Sequence, residues 1–300
     1  MFTGCGTALV TPFKQDRSVD EEALRRLVRR QIDAGINFLV PCGTTGESPT
    51  LSHEEHLRVV EITLAEAKGK RPVLAGAGGY NTAEVVRLAK ELEAMGADGI
   101  LSVTPYYNKP TQEGLCQHYQ AIASAIRIPM IVYSVWSRTG INVLPATLER
   151  LARVDNIIGV KEASGNIGQM GQIISRTPAD FLVLSGDDAM TLPLLALGGR
   201  GLISVASNEI PAEMTALVEA GLRGDFAGAR ALHYQWLPLM EVNFVESNPI
   251  PVKAAMARMG LLEPCWRLPL TPPQCDNQKK IEEVLIQTGL VTRQEADACR

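Results

Sequence analysis

Ile157-Ile158-Gly159-Val160-Lys161-Glu162-Ala163-Ser164-Gly165-Asn166 is the stretch on which the reading of this chain turns. A short apolar, β-prone run closes on a lysine and then gives way to small and polar residues, the pattern of a buried strand running out into a loop. An ammonium group at the end of such a strand has lost much of its water, and desolvation disfavours the charged form. A neutral lysine amine attacks carbonyl carbon and forms a Schiff base. Lys161 therefore suggests carbonyl chemistry through an imine. The alternative is a buried stem whose amine snorkels to a nearby carboxylate such as Glu162.

The same kind of run recurs along the chain, at residues 6–10, 37–41, 72–75, 99–103, 129–133, 181–185 and 201–205. Between the runs lie stretches with helical spacing of apolar residues. In 21–34, Leu24, Leu27, Val28 and Ile32 share one face; in 53–67 it is Leu57, Val60, Ile62 and Leu64. The second begins at Ser52-His53-Glu54-Glu55, a capping box. Gly35, Gly96, Gly198 and Gly199 are natural helix stops before the next strand. Eight strands alternating with helices in about 225 residues match a (β/α)8 TIM barrel. An open doubly wound sheet is the structural rival, but it more often carries a glycine-rich phosphate loop after its first strand, and none stands there.

Barrels of this kind place their chemistry at the C-terminal ends of the strands. Those ends are rich in reactive groups. Gly43-Thr44-Thr45-Gly46-Glu47-Ser48 follows the second strand and Thr104-Pro105-Tyr106-Tyr107-Asn108 the fourth. The fifth ends in Tyr133 with Arg138 close behind, the sixth in Lys161, and the seventh in Ser185-Gly186-Asp187-Asp188. Each alone has a plain explanation: a turn, a core aromatic, a solvated charge. Together they put an amine, hydroxyls and a guanidinium around one mouth, which points to a catalytic site.

Residues 227–240, 250–259 and 278–290 read as helices separated by Pro249, Pro251, Pro264, Pro269, Pro272 and Pro273. The expected organisation is a catalytic barrel over 1–225 and a C-terminal helical region over 226–300, with a polar end from 291 onward that should fray. Charged residues make up 21% and hydrophobic residues 46% of the 300, and the net charge is −4 with both signs scattered. That balance carries no footprint for nucleic acid or an anionic membrane. No apolar run approaches membrane-spanning length. The N-terminus lacks the basic and apolar segments of a signal peptide, so a cytoplasmic location is expected. Cys5, Cys42, Cys116, Cys265, Cys275 and Cys299 form no C-x-x-C pair, which suits reduced thiols.

These motifs carry a resemblance. From Phe2 to about Leu290 the chain resembles the dihydrodipicolinate synthase family, within the pyruvate-dependent class I aldolases. Gly43-Thr44-Thr45-Gly46-Glu47 is shared by the wider superfamily. The double tyrosine Tyr106-Tyr107, Arg138-Thr139-Gly140 and Asn248-Pro249-Ile250-Pro251 point to the narrower family, while Val252-Lys253 and Leu268-Pro269-Leu270-Thr271-Pro272 extend the match into the C-terminal helices. The resemblance implies a condensation of pyruvate with aspartate 4-semialdehyde on the route to lysine and diaminopimelate. Lys161 would form the imine, Tyr133 would be the general acid/base, and Thr44 and Tyr107 would complete a hydroxyl relay. Thr45 would hold the pyruvate carboxylate, Arg138 the carboxylate of the semialdehyde, and backbone at Gly186 and Ile203 would border the pyruvate. Tyr107 would serve a neighbouring subunit, which implies a dimer within a homotetramer. No metal or organic cofactor is called for.

Ser48, His53, His56, Gly78, Glu84 and Tyr106 match a family site for feedback by lysine, a candidate allosteric site. Pro49 and Tyr80 depart from its usual alanine and asparagine, and weaken the expected response. A zinc reading of His53-x-x-His56 lacks an accompanying ligand cluster. In Tyr133-Ser134-Val135-Trp136-Ser137-Arg138, serine replaces the family's asparagine and tryptophan its proline, so a shifted Arg138 with weaker or altered aldehyde specificity is expected; the alternative is a Trp136 that points outward or fills a subunit contact. Other pyruvate aldolases, such as N-acetylneuraminate lyase or an oxo-acid aldolase, would share the Lys161 chemistry with a different second substrate. A non-catalytic small-molecule-binding barrel is the reading of another class, and the joint presence of Thr44, Tyr107, Tyr133 and Lys161 argues against it.

Overall fold

The structure is a computed structural model and describes residues 1–292. Residues 293–300, with Cys299 and most of the end expected to fray, lie outside the described residues.

The apolar runs do form strands: β1 Gly4–Ala8, β2 Phe38–Val40, β3 Leu74–Gly76, β4 Gly99–Val103, β5 Met130–Ser134, β6 Ile157–Glu162, β7 Leu182–Ser185 and β8 Gly201–Ser204. All pairings are parallel, in the spatial order β2-β1-β8-β7-β6-β5-β4-β3. A parallel bridge between Leu39 and Val73 brings the two ends of that order together, and Leu39 N donates to Pro72 O at 2.9 Å. The sheet is a nearly closed eight-stranded barrel. The doubly wound alternative is excluded, because its edges would stay apart.

The helices are α1 Glu21–Asp33, α2 His53–Ala67, α3 Thr82–Ala94, α4 Gln112–Ala123, α5 Trp136–Thr139, α6 Pro145–Leu151, α7 Ile167–Arg176, α8 Thr191–Ala196, α9 Pro211–Leu222, α10 Phe226–Val242, α11 Ile250–Arg258 and α12 Cys275–Gln287. The expected capping box at α2 is present: the Ser52 hydroxyl accepts from Glu55 N at 3.2 Å, and the Glu55 carboxylate accepts from Ser52 N at 2.9 Å. Such caps satisfy amides that the first helical turn leaves without partners. Gly35, Gly96 and Gly198 take positive φ where their helices stop, while Gly199 does not. Among the described residues the elements after α9 are the helices α10, α11 and α12, packed against the barrel as a C-terminal extension.

Strand alternation splits the core in two. Ile100, Val132, Val160, Val183 and Leu202 point outward into the layer under the helices. Phe38, Leu74, Leu101, Tyr133, Leu184 and Ile203 fill the barrel interior. Lys161 lies in register with Tyr133 on one side and Leu184 on the other, so its side chain belongs to the interior set. Glu162, one residue on, must face the helices.

Candidate active site

Lys161 is only 5% exposed, and its Nζ lies 4.3 Å from the centre of the Tyr133 ring. The two residues face each other across the β5–β6 pair because parallel register aligns strand ends of equal height. Gly186, just past β7, leaves room for the lysine stem: a β-carbon there would stand 3.1 Å from Lys161 Cε and 2.7 Å from Ala163 Cβ. Glu162 does not partner the amine. Its oxygens accept from Ser164 N at 3.3 and 3.2 Å and from Gln169 Nε2 at 2.9 Å, on the helix side of the sheet. Burial pushes the Glu162 carboxyl above the usual range, with those donors opposing. The snorkelling alternative for Lys161 through Glu162 therefore fails on geometry.

A cavity of about 380 Å³ opens at this end of the barrel. Thr44, Tyr133 and Arg138 line it together with Cys42, Glu47 and Asn248. Tyr133 thus joins the cavity to Lys161. Thr45 is buried and its hydroxyl accepts from Asn248 Nδ2 at 2.9 Å. Arg138 sits on α5 and donates from Nη2 to Asn248 O at 2.9 Å. Ile203 is buried in the barrel interior. Lys161, Thr45, Gly186 and Ile203 lie off the cavity wall, next to residues that form it or deeper in the barrel.

Tyr107 stands apart. It is 92% exposed, on the loop after β4 with φ +67°, and is not enclosed with Thr44 and Tyr133 in one chain. A phenol so exposed in a left-handed backbone position is unusual. Trp136 is 59% exposed and opens α5, and Arg138 lines the cavity. That exposure suits a Trp136 that points outward or fills a subunit contact.

Of the six residues matched to a lysine site, Ser48, His56, Gly78 and Tyr106 line the same cavity, as does Pro49. His56 is buried, its Nε2 is 2.9 Å from Gly76 O, and burial lowers its pKa. Tyr106 packs edge-on against Tyr80 at 5.2 Å between ring centres, and burial raises its phenol pKa. His53 instead pairs with Glu91 at 2.8 Å, and Glu84 lies exposed in the first turn of α3.

Sequence reasoning gave no role to three buried groups around this mouth. Asn248 links Thr45 and Arg138, as above. Asp188 accepts from Ser204 Oγ at 2.5 Å, Val205 N at 3.0 Å and Ala206 N at 3.3 Å, pinning the turn that follows Ile203. Burial pushes its carboxyl up to about 6, against those donors. Lys253, on α11, is fully buried and donates to Glu47 Oε1 at 2.5 Å. Burial pulls the Lys253 ammonium down, and Glu47 pulls it back up. The signal for Lys253 was present: Pro251-Val252-Lys253-Ala254-Ala255 sets a lysine among apolar residues much as Ile157–Lys161 does.

Residues 1–288 match the dihydrodipicolinate synthetase family. The chain is 55% identical over 289 residues to the 4-hydroxy-tetrahydrodipicolinate synthase of Koribacter versatilis (strain Ellin345), covering 96% of each. It is 54% identical over 291 residues to the enzyme of the same name from Nitratidesulfovibrio vulgaris (strain DSM 19637 / Miyazaki F), covering 97% of this chain and 99% of that one. A solved dihydrodipicolinate synthase from Aquifex aeolicus superposes with a TM-score of 0.95 at 46% identity, over 96% of this chain and 99% of the other.

Proposed function

The chain belongs to the dihydrodipicolinate synthetase family, and on that premise we propose that it is a lyase, a class I aldolase with 4-hydroxy-tetrahydrodipicolinate synthase activity in lysine and diaminopimelate biosynthesis. The observation that carries the reading is the pairing of Lys161 Nζ with the Tyr133 ring at adjacent strand ends, 4.3 Å apart and beside a cavity of small-molecule size. Lys161 Nζ adds to the ketone carbon of pyruvate, and loss of water leaves an iminium. The positive nitrogen draws electrons from the methyl carbon, Tyr133 takes the proton, and an enamine forms. The enamine carbon attacks the aldehyde of aspartate 4-semialdehyde, whose oxygen takes a proton back through Tyr133. The semialdehyde's amino group then closes on the imine carbon, which frees Lys161 and gives the cyclic product.

Thr45 and Thr44 suit the pyruvate carboxylate and the relay. Arg138 suits the second carboxylate, since its planar fork matches two oxygens. Backbone at Gly186 and Ile203 borders the pyruvate. Tyr107, too exposed to act alone, completes the relay of a neighbouring subunit, and a homotetramer built as a dimer of dimers is the assembly this implies. With that chemistry the proposed division is a catalytic barrel over 1–225 and a helical region over 226–300, of which 293–300 lie outside the described residues. Unpaired Cys5, Cys42, Cys116, Cys265 and Cys275 suit a cytoplasmic setting, and among the described residues no helix is long and apolar enough to cross a membrane. Free lysine is proposed as a weak inhibitor through Ser48, His56, Gly78 and Tyr106, with His53 and Glu84 nearby; an unchanged rate in millimolar lysine would remove that part.

The test is turnover. Pyruvate and aspartate 4-semialdehyde mixed with the protein should disappear together, one for one. Consumption of pyruvate with a sugar-derived aldehyde, and none with the semialdehyde, would move the chain to another pyruvate aldolase.

A further inference from the structure

We propose that the buried Glu47–Lys253 pair is a positioning device for the pyruvate step, locking the turn that carries Thr44 and Thr45 to helix α11. The proposal rests on the pyruvate reading above and assigns a role to two residues that its chemistry does not use.

The turn is clamped from three sides. Thr11 Oγ1 donates to Gly46 O at 2.7 Å, Asn248 Nδ2 to Thr45 Oγ1 at 2.9 Å, and Lys253 Nζ to Glu47 Oε1 at 2.5 Å. Inside it, Gly46 N donates to Gly43 O at 3.1 Å and Glu47 N to Thr44 O at 3.0 Å. Glu47 itself sits at φ +54°, a left-handed conformation that a residue other than glycine keeps when its surroundings enforce it. Both side chains of the pair are 0% exposed, so solvent ions screen the bond little.

Two of the three clamps come from one short segment, residues 248–253, and that segment is itself tied by Lys253 N to Pro249 O at 3.1 Å. Its Asn248 carbonyl also receives Arg138 at 2.9 Å. One piece of the C-terminal region therefore ties together the threonine turn and the arginine at the cavity. Lys253 Nζ further lies 4.3 Å from the Phe13 ring centre, as does Arg267. Arg267 donates to Thr50 O at 2.9 Å, extending the clamp past the turn.

A buried ion pair gains little stability over two well-packed apolar side chains of similar size. What such a pair supplies that apolar side chains do not is one fixed distance and direction. Here that distance is measured from α11 to the backbone between Thr45 and Ser48.

The test compares wild type with two variants, E47M/K253M, which removes both charges at similar volume, and E47D, which keeps the pair but shortens the link by one methylene. Each is measured for melting temperature, KM of pyruvate, KM of the semialdehyde, and the rate at which borohydride traps pyruvate on Lys161. Both variants should fold. Both should trap pyruvate more slowly, by about tenfold in the double variant, as expected for a misplaced binding group. The KM of pyruvate should rise with little change in that of the semialdehyde. If E47M/K253M does not fold, E47D carries the test alone. A folded variant with wild-type trapping rate and wild-type pyruvate KM would overturn the proposal and leave the pair a matter of stability only. Failure of wild type itself to trap pyruvate would instead overturn the catalytic reading beneath it.

Discussion

Lys161 and Lys253 are 5% and 0% exposed, and each lies 4.3 Å from an aromatic ring centre, yet their surroundings divide them. Lys253 has a carboxylate in contact, Glu47 at 2.5 Å, and is enclosed by the barrel and α11. Lys161 has the Tyr133 phenol beside it, a glycine at its stem, and a neighbouring glutamate turned to the other face of the sheet. Apolar flanks find a buried lysine in a sequence, but the partner decides what it does. A contacting carboxylate ties an amine into the structure. An aromatic hydroxyl beside a cavity leaves it available for addition to a carbonyl.

Exchanging each lysine should break that comparison most sharply. Lys161→Ala should lower kcat/KM by on the order of 10⁴-fold or more, as loss of a covalent nucleophile does. It removes no ion pair, so the melting temperature should stay close to wild type. Tyr133→Phe should keep the ring beside the lysine and cost about 10²–10⁴-fold, the range for loss of a general acid/base. A Tyr133→Phe variant as fast as wild type would mean that another group moves the proton. Lys253→Met should do the reverse of Lys161→Ala, destabilising by about 3–5 kcal/mol because Glu47 is left buried and unpaired. Denaturant unfolding at matched pH reads that loss.

A weaker effect comes from a buried group in neither region. His118 is buried on α4, its Nδ1 lies 2.9 Å from Thr82 Oγ1, and burial lowers its pKa to about 4. The unfolded chain binds that proton near pH 6.5, the folded one only near 4, so the unfolded state binds more protons between them. Stability should therefore fall as pH drops from about 6.5 to about 4, by on the order of 2–3 kcal/mol from this residue. His118→Asn should flatten the slope of melting temperature against pH in that window; His56 and His233, lowered in the same direction, add to the slope, and the raised carboxyls of Asp188 and Glu162 oppose it. An identical slope in the variant would show that His118 contributes nothing.

The smallest effect should be at Trp136. It is exposed, it opens a helix where proline is tolerated, and Val135 before it is at φ −140° and ψ 77°, outside the helical region that proline disfavours. Trp136→Pro should leave semialdehyde kinetics within about twofold, because Arg138 is held by Asn248 rather than by residue 136. A large change would restore the expectation of a displaced arginine.

The barrel was legible because each strand is short, apolar and set off by helix stops, so local pattern and global topology agree. Strand limits moved by one or two residues, as at β1, read as 6–10 and found at Gly4–Ala8. Lys161, Tyr133, Thr44 and Arg138 were legible as strand-end chemistry. Glu47–Lys253 was not, because its members are 206 residues apart and only the docking of α11 on the barrel brings them together. Asn248 escaped for the same reason, bonding Thr45 across 203 residues. The outward turn of Glu162 follows from strand alternation, and was available from the sequence once Lys161 was placed inside.

The most direct measurement is peptide mass mapping after incubation with pyruvate and reduction by borohydride. The predicted result is one pyruvyl adduct, on Lys161, with Lys253 unmodified. An adduct on Lys253, or a folded sample with none on Lys161, would contradict it.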